Sequence, residues 1–179
     1  MIKIIDDFLT PSYFEEFHKL LISWDFDWYC QPNLAPGLPG LPRVNFSHNF
    51  FMEEMRSPHC PLILPFMCKV KDICGATSLL RCRADMTVIH PDKIKHPPHV
   101  DFQFPHYSSV FYVNESDGET VMYNERWTPD GGYPDKLTVH QTIDPKPNRV
   151  IIFDGDIIHT GHSPSKHQTR VILNSNYVI

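Results

Sequence analysis

The chain has 179 residues, enough for one ordinary domain that buries about two thirds of its extended surface on folding. Its 16 Lys and Arg against 21 Asp and Glu leave a formal charge of −5, which excludes a protein held on nucleic acid mainly by bulk charge. An apolar fraction of 41% excludes extensive disorder, and 17 prolines against 8 glycines point to short elements joined by fixed-φ turns, as in all-β domains.

Ile2 to Phe8 reads as a short strand. A helix is expected next, with Ser12 and Glu15 in capping-box spacing and Phe14, Phe17, Leu21 and Trp24 at helical period. A strand around Phe26 to Cys30 leads into QPNLAPGLPGLPR at 31–43, with four prolines and two glycines in thirteen residues. Loops of that length in a small domain commonly serve as lids or binding segments. A strand near Val44 to Met52 precedes a second helix, with Leu62, Phe66, Val70 and Ile73 on one face and Gly75 just past its end.

From residue 77 the character changes. Strand-like runs fall at about 79–90, 97–102, 107–113, 119–123, 136–142, 149–153, 157–160 and 169–178. Turn signals such as His90-Pro91-Asp92, Asp117-Gly118, Asp130-Gly131-Gly132 and Asp154-Gly155 separate most of them. Short strands without long helices between them predict a mainly β (α+β) fold: a double-stranded β-helix, the cupin-like jelly roll, with the N-terminal helices packed on its outside. The expected organisation is a single domain over 1–179, an α/β lead-in at 1–76 supporting a barrel core at 77–179.

No stretch reaches the ~18–20 apolar residues of a membrane span, because Pro61 and Pro65 interrupt the longest candidate. The start, MIKIIDDFLT, carries Asp6 and Asp7 where a secretory segment is apolar, so no signal peptide is expected. Cys30, Cys60, Cys68, Cys74 and Cys82 are odd in number and form no CxxC pair, which argues against a zinc knuckle and a disulfide framework. A cytoplasmic protein is the expectation.

Eleven histidines are many for this length, and His18, His48, His140 and His167 read as structural or solvent-facing. His99 and Asp101 are different. At i and i+2 of an extended segment their side chains point to one side, so an imidazole and a carboxylate can share a metal. His159, in IIFDGDIIHTGHSP, supplies a third ligand from a distant strand. Two histidines and one carboxylate form a facial triad that leaves one face of an octahedral Fe(II) open. Two histidines compete for this role. His162 lies three residues beyond His159 and would face the opposite side of a regular strand. His96, beside Pro97 and Pro98, reads as a rim residue.

The chain resembles the Fe(II)- and 2-oxoglutarate-dependent oxygenases, in particular their prolyl 4-hydroxylase-like branch, over roughly residues 79–178. The resemblance rests on HVD at 99–101, FYVN at 111–114, DGET at 117–120, NRVIIFDG at 148–155, His159 and TRVILN at 169–174. It implies that His99, Asp101 and His159 bind iron and that Arg170 pairs with the distal carboxylate of 2-oxoglutarate, with Tyr112 as a further donor. A guanidinium fork suits a carboxylate. Where many relatives have a tyrosine before a proline on the first barrel strand, this chain has His90-Pro91, which makes His90 a third cosubstrate candidate.

The implied activity is a dioxygenase using Fe(II), 2-oxoglutarate and O2, with ascorbate as a reductant, that hydroxylates a substrate and releases succinate and CO2. The implied substrate is a peptidyl proline, another protein side chain or a small amino-acid-like molecule, and the acidic charge of the chain disfavours nucleic acid. Its rim is expected in loop 31–43, around His96, at Gln103 to Tyr107, and at 124–134 with Arg126 and Trp127. Two alternatives stand beside this: a cupin-type metal-dependent isomerase or hydrolase that does not use 2-oxoglutarate, and a non-catalytic binding module on the same scaffold.

Overall fold

The computed structural model describes residues 1–31 and 45–179. The proline-rich segment expected as a lid lies, beyond Gln31, outside the described residues. In chain order the elements are β1 (Ile2–Ile5), α1 (Pro11–Ile22), β2 (Tyr29–Gln31), β3 (Asn45–Met52), β4 (Met55–Arg56) and α2 (Cys60–Cys74). There follow β5 (Ser78–Val88), β6 (His106–Tyr112), β7 (Thr120–Arg126), β8 (Val139–Ile143), β9 (Val150–Asp154), β10 (Ile157–Gly161) and β11 (Thr169–Val178).

The strands make two antiparallel sheets. The larger runs β1-β9-β6-β11-β5-β3-β2 with β4 on β3, and the smaller runs β10-β7-β8. This is the expected jelly roll, with one addition: β1 to β4 of the lead-in extend the large sheet rather than standing apart from it. The expected strand at 97–102 is reduced to isolated bridges, Lys95 with His162 and His99 with His159, which lay this segment along β10. Pro97 and Pro98 explain the interruption, since neither has an N–H to give to a ladder.

The large sheet separates two environments, and the alternation of its strands shows which. On β5, Cys82 and Ala84 face the helices, as do Val171, Leu173 and Tyr177 on β11. The intervening residues Arg81, Arg83, Asp85 and Thr87, with Arg170, Ile172 and Asn174, face the space between the sheets. α1 and α2 close the outer face with Phe17, Leu21, Ile63, Phe66, Met67 and Val70, all buried. Between the sheets a second core of Val110, Tyr112, Met122, Ile143, Ile151, Phe153, Ile157 and Ile172 fills one end. The other end is a cavity.

Both helices depart from the sequence reading in detail. Pro11 opens α1 behind Thr10, so Ser12 lies inside the helix and the capping box does not form; no side chain caps this end. Glu15 instead meets Lys19 at 2.9 Å. Trp24 lies beyond the end of α1 and is 96% exposed, so it contributes nothing to the core. On α2 the buried face turns toward Ile63 and Met67, leaving Leu62 and Ile73 half-buried at its margin. Gly75 ends α2 as expected, at φ +70°.

Phe111 joins the helices to the sheet. Its ring centroid is 5.1 Å from that of Phe66, 5.9 Å from Phe17 and 6.1 Å from Phe14. Phe111→Ala is expected to cost about 3–5 kcal/mol, the range for an aromatic deleted from a close-packed core, read as a lower urea midpoint.

Asp117 pins the turn that leads into β11. Its carboxylate accepts from the Ser165 hydroxyl at 2.8 Å, from the main-chain N–H groups of Lys166 and His167 at 3.2 Å, and from His167 Nδ1 at 3.0 Å. Partial burial works to raise its pKa, but His167, Ser165 and the main-chain donors hold it below the usual carboxylate range. A folded-state pKa below the unfolded one means the stabilisation is present at neutral pH and is lost as pH falls through the acid range. Asp117→Ala is expected to lower stability by about 2 kcal/mol at pH 7. The deficit should shrink toward pH 3 in urea titrations, because the unfolded carboxyl takes up a proton there while the folded one still resists it.

Candidate metal centre

His99 and His159 lie opposite each other on adjacent extended segments and exchange both main-chain hydrogen bonds, each 2.9 Å. The Asp154-Gly155 turn carries the chain from β9 in the large sheet to β10 in the small one, which sets His159 on the cavity wall. Gly155 is required there, because a Cβ at this position would collide with the ring of His106. The His99 and His159 ring centroids are 4.6 Å apart, and His159 is held edge-on by Phe153 at 4.9 Å.

Main-chain carbonyls select the tautomer of each ring. His99 Nδ1 lies 3.0 Å from the Pro97 carbonyl oxygen and His159 Nδ1 lies 3.1 Å from that of Ile157. A carbonyl oxygen only accepts, so each Nδ1 carries the hydrogen and each Nε2 keeps its lone pair. One ligand atom each from His99, Asp101 and His159 lie within 4.8 Å of one another. Burial and then the neighbouring His99 push the pKa of His159 down to about 4 against the pull of Asp101, so its ring is neutral, the form that binds a metal.

Asp101 has its two oxygens in different surroundings. Oδ2 accepts from Ser108 Oγ at 2.8 Å and from Asn176 Nδ2 at 2.8 Å. Oδ1 has only longer contacts, 3.4 Å from Arg81 and 3.3 Å from Asn174, and lies 4.0 Å from His99 Nε2. Oδ2 is therefore the anchored atom and Oδ1 the one left for a cation. Burial of this carboxyl works to raise its pKa, yet His159, Arg81, His99 and the Ser108 hydroxyl together hold it well below the usual range. Two imidazoles and one ionised carboxylate on one side of a point are a donor set suited to a divalent first-row metal.

These three residues open on a cavity of about 710 Å³ between the sheets, within the range of small-molecule sites. Arg170 lines the same cavity and is only 5% exposed. Its Nε donates to the Gly118 carbonyl at 2.6 Å and its Nη2 to Thr120 Oγ1 at 2.8 Å. Gly118 has no room for a side chain, since a Cβ there would stand 2.8 Å from Arg170 Cδ. Tyr112 lies behind this arrangement, fully buried, and donates to the same Thr120 Oγ1 at 2.6 Å. Thr120 thus accepts two hydrogen bonds and keeps its own hydroxyl hydrogen for the cavity, which it lines and Tyr112 does not.

Other sequence candidates fall elsewhere. His90 sits in the turn after β5, where its Nδ1 accepts the Asp92 N–H at 3.2 Å, and it is not among the residues that line the cavity. His162 places Nδ1 3.6 Å from Glu119, away from the three ligands, while His96 lines the cavity as a rim residue. In the 124–134 segment, Trp127 is buried in a small core with Val100 and Ile158, and Arg126 pairs with Asp156 at 2.5 Å. Tyr133 is the residue of that segment that lines the cavity, and its hydroxyl accepts the Val100 N–H at 3.1 Å.

Sequence reasoning missed Arg81, Ser108, Asn174 and Asn176, which surround Asp101, and Thr120. A signal was available. In β5 the polar residues Arg81, Arg83, Asp85 and Thr87 recur at every second position opposite Cys82, Ala84 and Met86, and in β11 Arg170, Asn174 and Asn176 share one face, which marks strands bordering a polar cavity.

No protein-family model and no curated protein sequence matches this chain. Solved structures do. The non-heme α-ketoglutarate-dependent epimerase SnoN of nogalamycin biosynthesis superposes with a TM-score of 0.73 at 11% identity, over 99% of this chain and 76% of that one. A second structure of that epimerase holds Fe3+, α-ketoglutarate and nogalamycin RO. An oxidoreductase of the 2OG-Fe(II) oxygenase family from Burkholderia pseudomallei gives 0.70 at 12% identity, over 98% and 84%. A Trichoplax adhaerens prolyl hydroxylase in complex with a hypoxia inducible factor peptide fragment gives 0.66 at 15% identity, over 98% and 83%. The chain has the fold of the 2-oxoglutarate- and Fe(II)-dependent oxygenase structures, the prolyl hydroxylases among them.

Proposed function

We propose that this protein is an Fe(II)- and 2-oxoglutarate-dependent dioxygenase that hydroxylates a peptidyl proline, another protein side chain or a small amino-acid-like molecule. The observation that carries this is one cavity in which three ligand atoms within 4.8 Å of one another stand on the same walls as a buried arginine. Iron bound there supplies, together with 2-oxoglutarate and O2, the oxidative decarboxylation that yields succinate and CO2 and oxidises a substrate C–H bond.

The protein's part is to hold, orient and exclude. Pro97 and Ile157 fix the two imidazoles with Nε2 available. Ser108 and Asn176 fix the Asp101 carboxylate with Oδ1 available. Arg170, immobilised by Gly118 and Thr120, turns the rest of its guanidinium to the cavity, where it meets a carboxylate without having to be ordered first. The Thr120 hydroxyl hydrogen is a further donor to that carboxylate. The inter-sheet core behind these groups keeps water from this end of the cavity.

A cupin-type site without 2-oxoglutarate gives Arg170 no anion to meet, which makes it the weaker reading. The deciding experiment is anaerobic addition of 2-oxoglutarate to the Fe(II) protein. A metal-to-ligand absorption band is expected, since it reports chelation by the keto acid directly. Iron bound with no band would return the cupin reading, and succinate release with candidate peptides and small molecules then identifies the substrate.

A further inference from the structure

Three arginines line the cavity, and their hydrogen bonds separate their roles. Arg81 uses Nε on Asn176 at 3.0 Å and Nη2 on Asn174 at 3.2 Å and on Asp101 at 3.4 Å, with its guanidinium 4.8 Å above Phe102, so it serves the ligand carboxylate. Arg170 is held by Gly118 and Thr120. Arg83 uses only Nε, at 2.9 and 3.1 Å from the two oxygens of Asp85. Among the described residues no protein group takes either of its Nη nitrogens, and its side chain is 35% exposed. Its fork is splinted from behind and open in front.

Position and charge give that fork a function. Arg83 pairs with Asn174 on β11, the residue that also donates to Asp101, whereas Arg170 pairs with Thr87. The backbone positions that carry the two arginines are therefore four residues apart in the register of β5, about 13 Å at strand rise, with Arg83 on the metal side. Among the described residues three guanidiniums face two carboxylates, Asp85 and Asp101, around the cavity. A divalent metal and a dianionic 2-oxoglutarate cancel each other. One positive charge is left over, and among the described residues that line the cavity the uncommitted fork is that of Arg83. An excess charge in a partly desolvated site favours an anion.

We propose that Arg83, held by Asp85, recognises the substrate of this cavity and that the substrate carries a carboxylate. This rests on the dioxygenase reading above. The carboxylate belongs either to a free small acid or to an acidic side chain of a peptide, and the test separates the two sources.

The Mn(II)-loaded protein, saturated with 2-oxoglutarate, is mixed with two probe sets, and metal-enhanced relaxation of the probe protons reports binding beside the metal. One set pairs free α-amino and α-hydroxy acids with their carboxamides, and the other pairs blocked tetrapeptides containing Glu with their Gln counterparts. The acids of one set are expected to bind about 10-fold or more tightly than the amides, the difference of one charge-assisted hydrogen-bond pair. Arg83→Gln should abolish that preference and Arg83→Lys should keep part of it, with 2-oxoglutarate affinity unchanged within about twofold in both. No acid binding in either set, amides binding equally, or a preference that survives Arg83→Gln overturns the proposal. So does a 2-oxoglutarate affinity that falls with the preference, since Arg83 then serves the cosubstrate. Wild type that fails to bind 2-oxoglutarate removes the dioxygenase reading instead, and the acid–amide contrast on the Mn(II) protein alone still decides the role of Arg83.

Discussion

Alanine at Asp101 is expected to abolish Fe(II)-dependent 2-oxoglutarate turnover, with succinate release falling to the background of metal in solution. The side chain is the sole anionic member of the cluster, and only its Oδ1 has room for a cation. Without it two imidazoles are left, one of them on an exposed rim. The substitution also strands Arg81, whose side chain is 14% exposed and loses its carboxylate partner. Breaking such a buried pair costs about 3–5 kcal/mol, so a lower melting temperature should accompany the loss of activity. Asp101→Asn keeps the shape of the side chain and an oxygen acceptor beside Arg81 while removing the charge, so its stability loss should be the smaller of the two. It should stay folded and still fail to retain iron after dialysis, measured as metal per protein. Ser108→Ala and Asn176→Ala should be intermediate, weakening iron by about 10–100-fold, since each frees Oδ2 to rotate. Full activity in both Asp101→Ala and His99→Ala would remove the metal assignment.

That His99 and Asp101 could be paired from the chain at all is a consequence of strand geometry. Extended backbone puts i and i+2 on one side, so His-Val-Asp needs no tertiary knowledge to present two donors together. Apolar runs and their turn residues likewise located β5 to β11 closely, apart from the segment the two prolines interrupt. What the chain did not disclose depends on which side chain reaches which partner across the fold. Nothing local to Asn174 or Asn176 announces that both turn to Asp101, seventy-odd residues away. Arg126 and Trp127 looked like a binding rim because loops carry specificity, but an aspartate of the next turn takes the first and a small core takes the second. His90 matched a family position by neighbouring residue alone, and the turn it sits in gives its ring a local amide instead. Local signals also competed at α1, where a proline at the first helical position overrode the Ser-x-x-Glu spacing.

Arg170→Ala is expected to raise the 2-oxoglutarate KM by at least about 30-fold while leaving iron content unchanged, the reverse of the Asp101 pattern. Removing one partner of a buried, hydrogen-bonded charge pair costs about 2–5 kcal/mol, which sets the lower bound. The iron content follows from contact: Arg170 hydrogen-bonds to Gly118 and Thr120 and to none of the three ligands. Arg170→Lys should recover only part of the loss, since an ammonium keeps the charge but has neither the Nε donor that fixes the group to Gly118 nor a planar fork. Gly118→Ala should move KM in the same direction without touching any charge, because its new Cβ would displace the Arg170 stem. Tyr112→Phe, in turn, should have a smaller effect than Thr120→Val, as Tyr112 stands behind Thr120 and Arg170 and does not itself line the cavity. KM values from succinate release, with metal content measured on the same preparations, rank the five variants. Iron lost in Arg170→Ala would mean a collapsed cavity, while iron kept with an unchanged KM would mean that 2-oxoglutarate does not reach this arginine, and the cosubstrate assignment would fall even with the metal site intact.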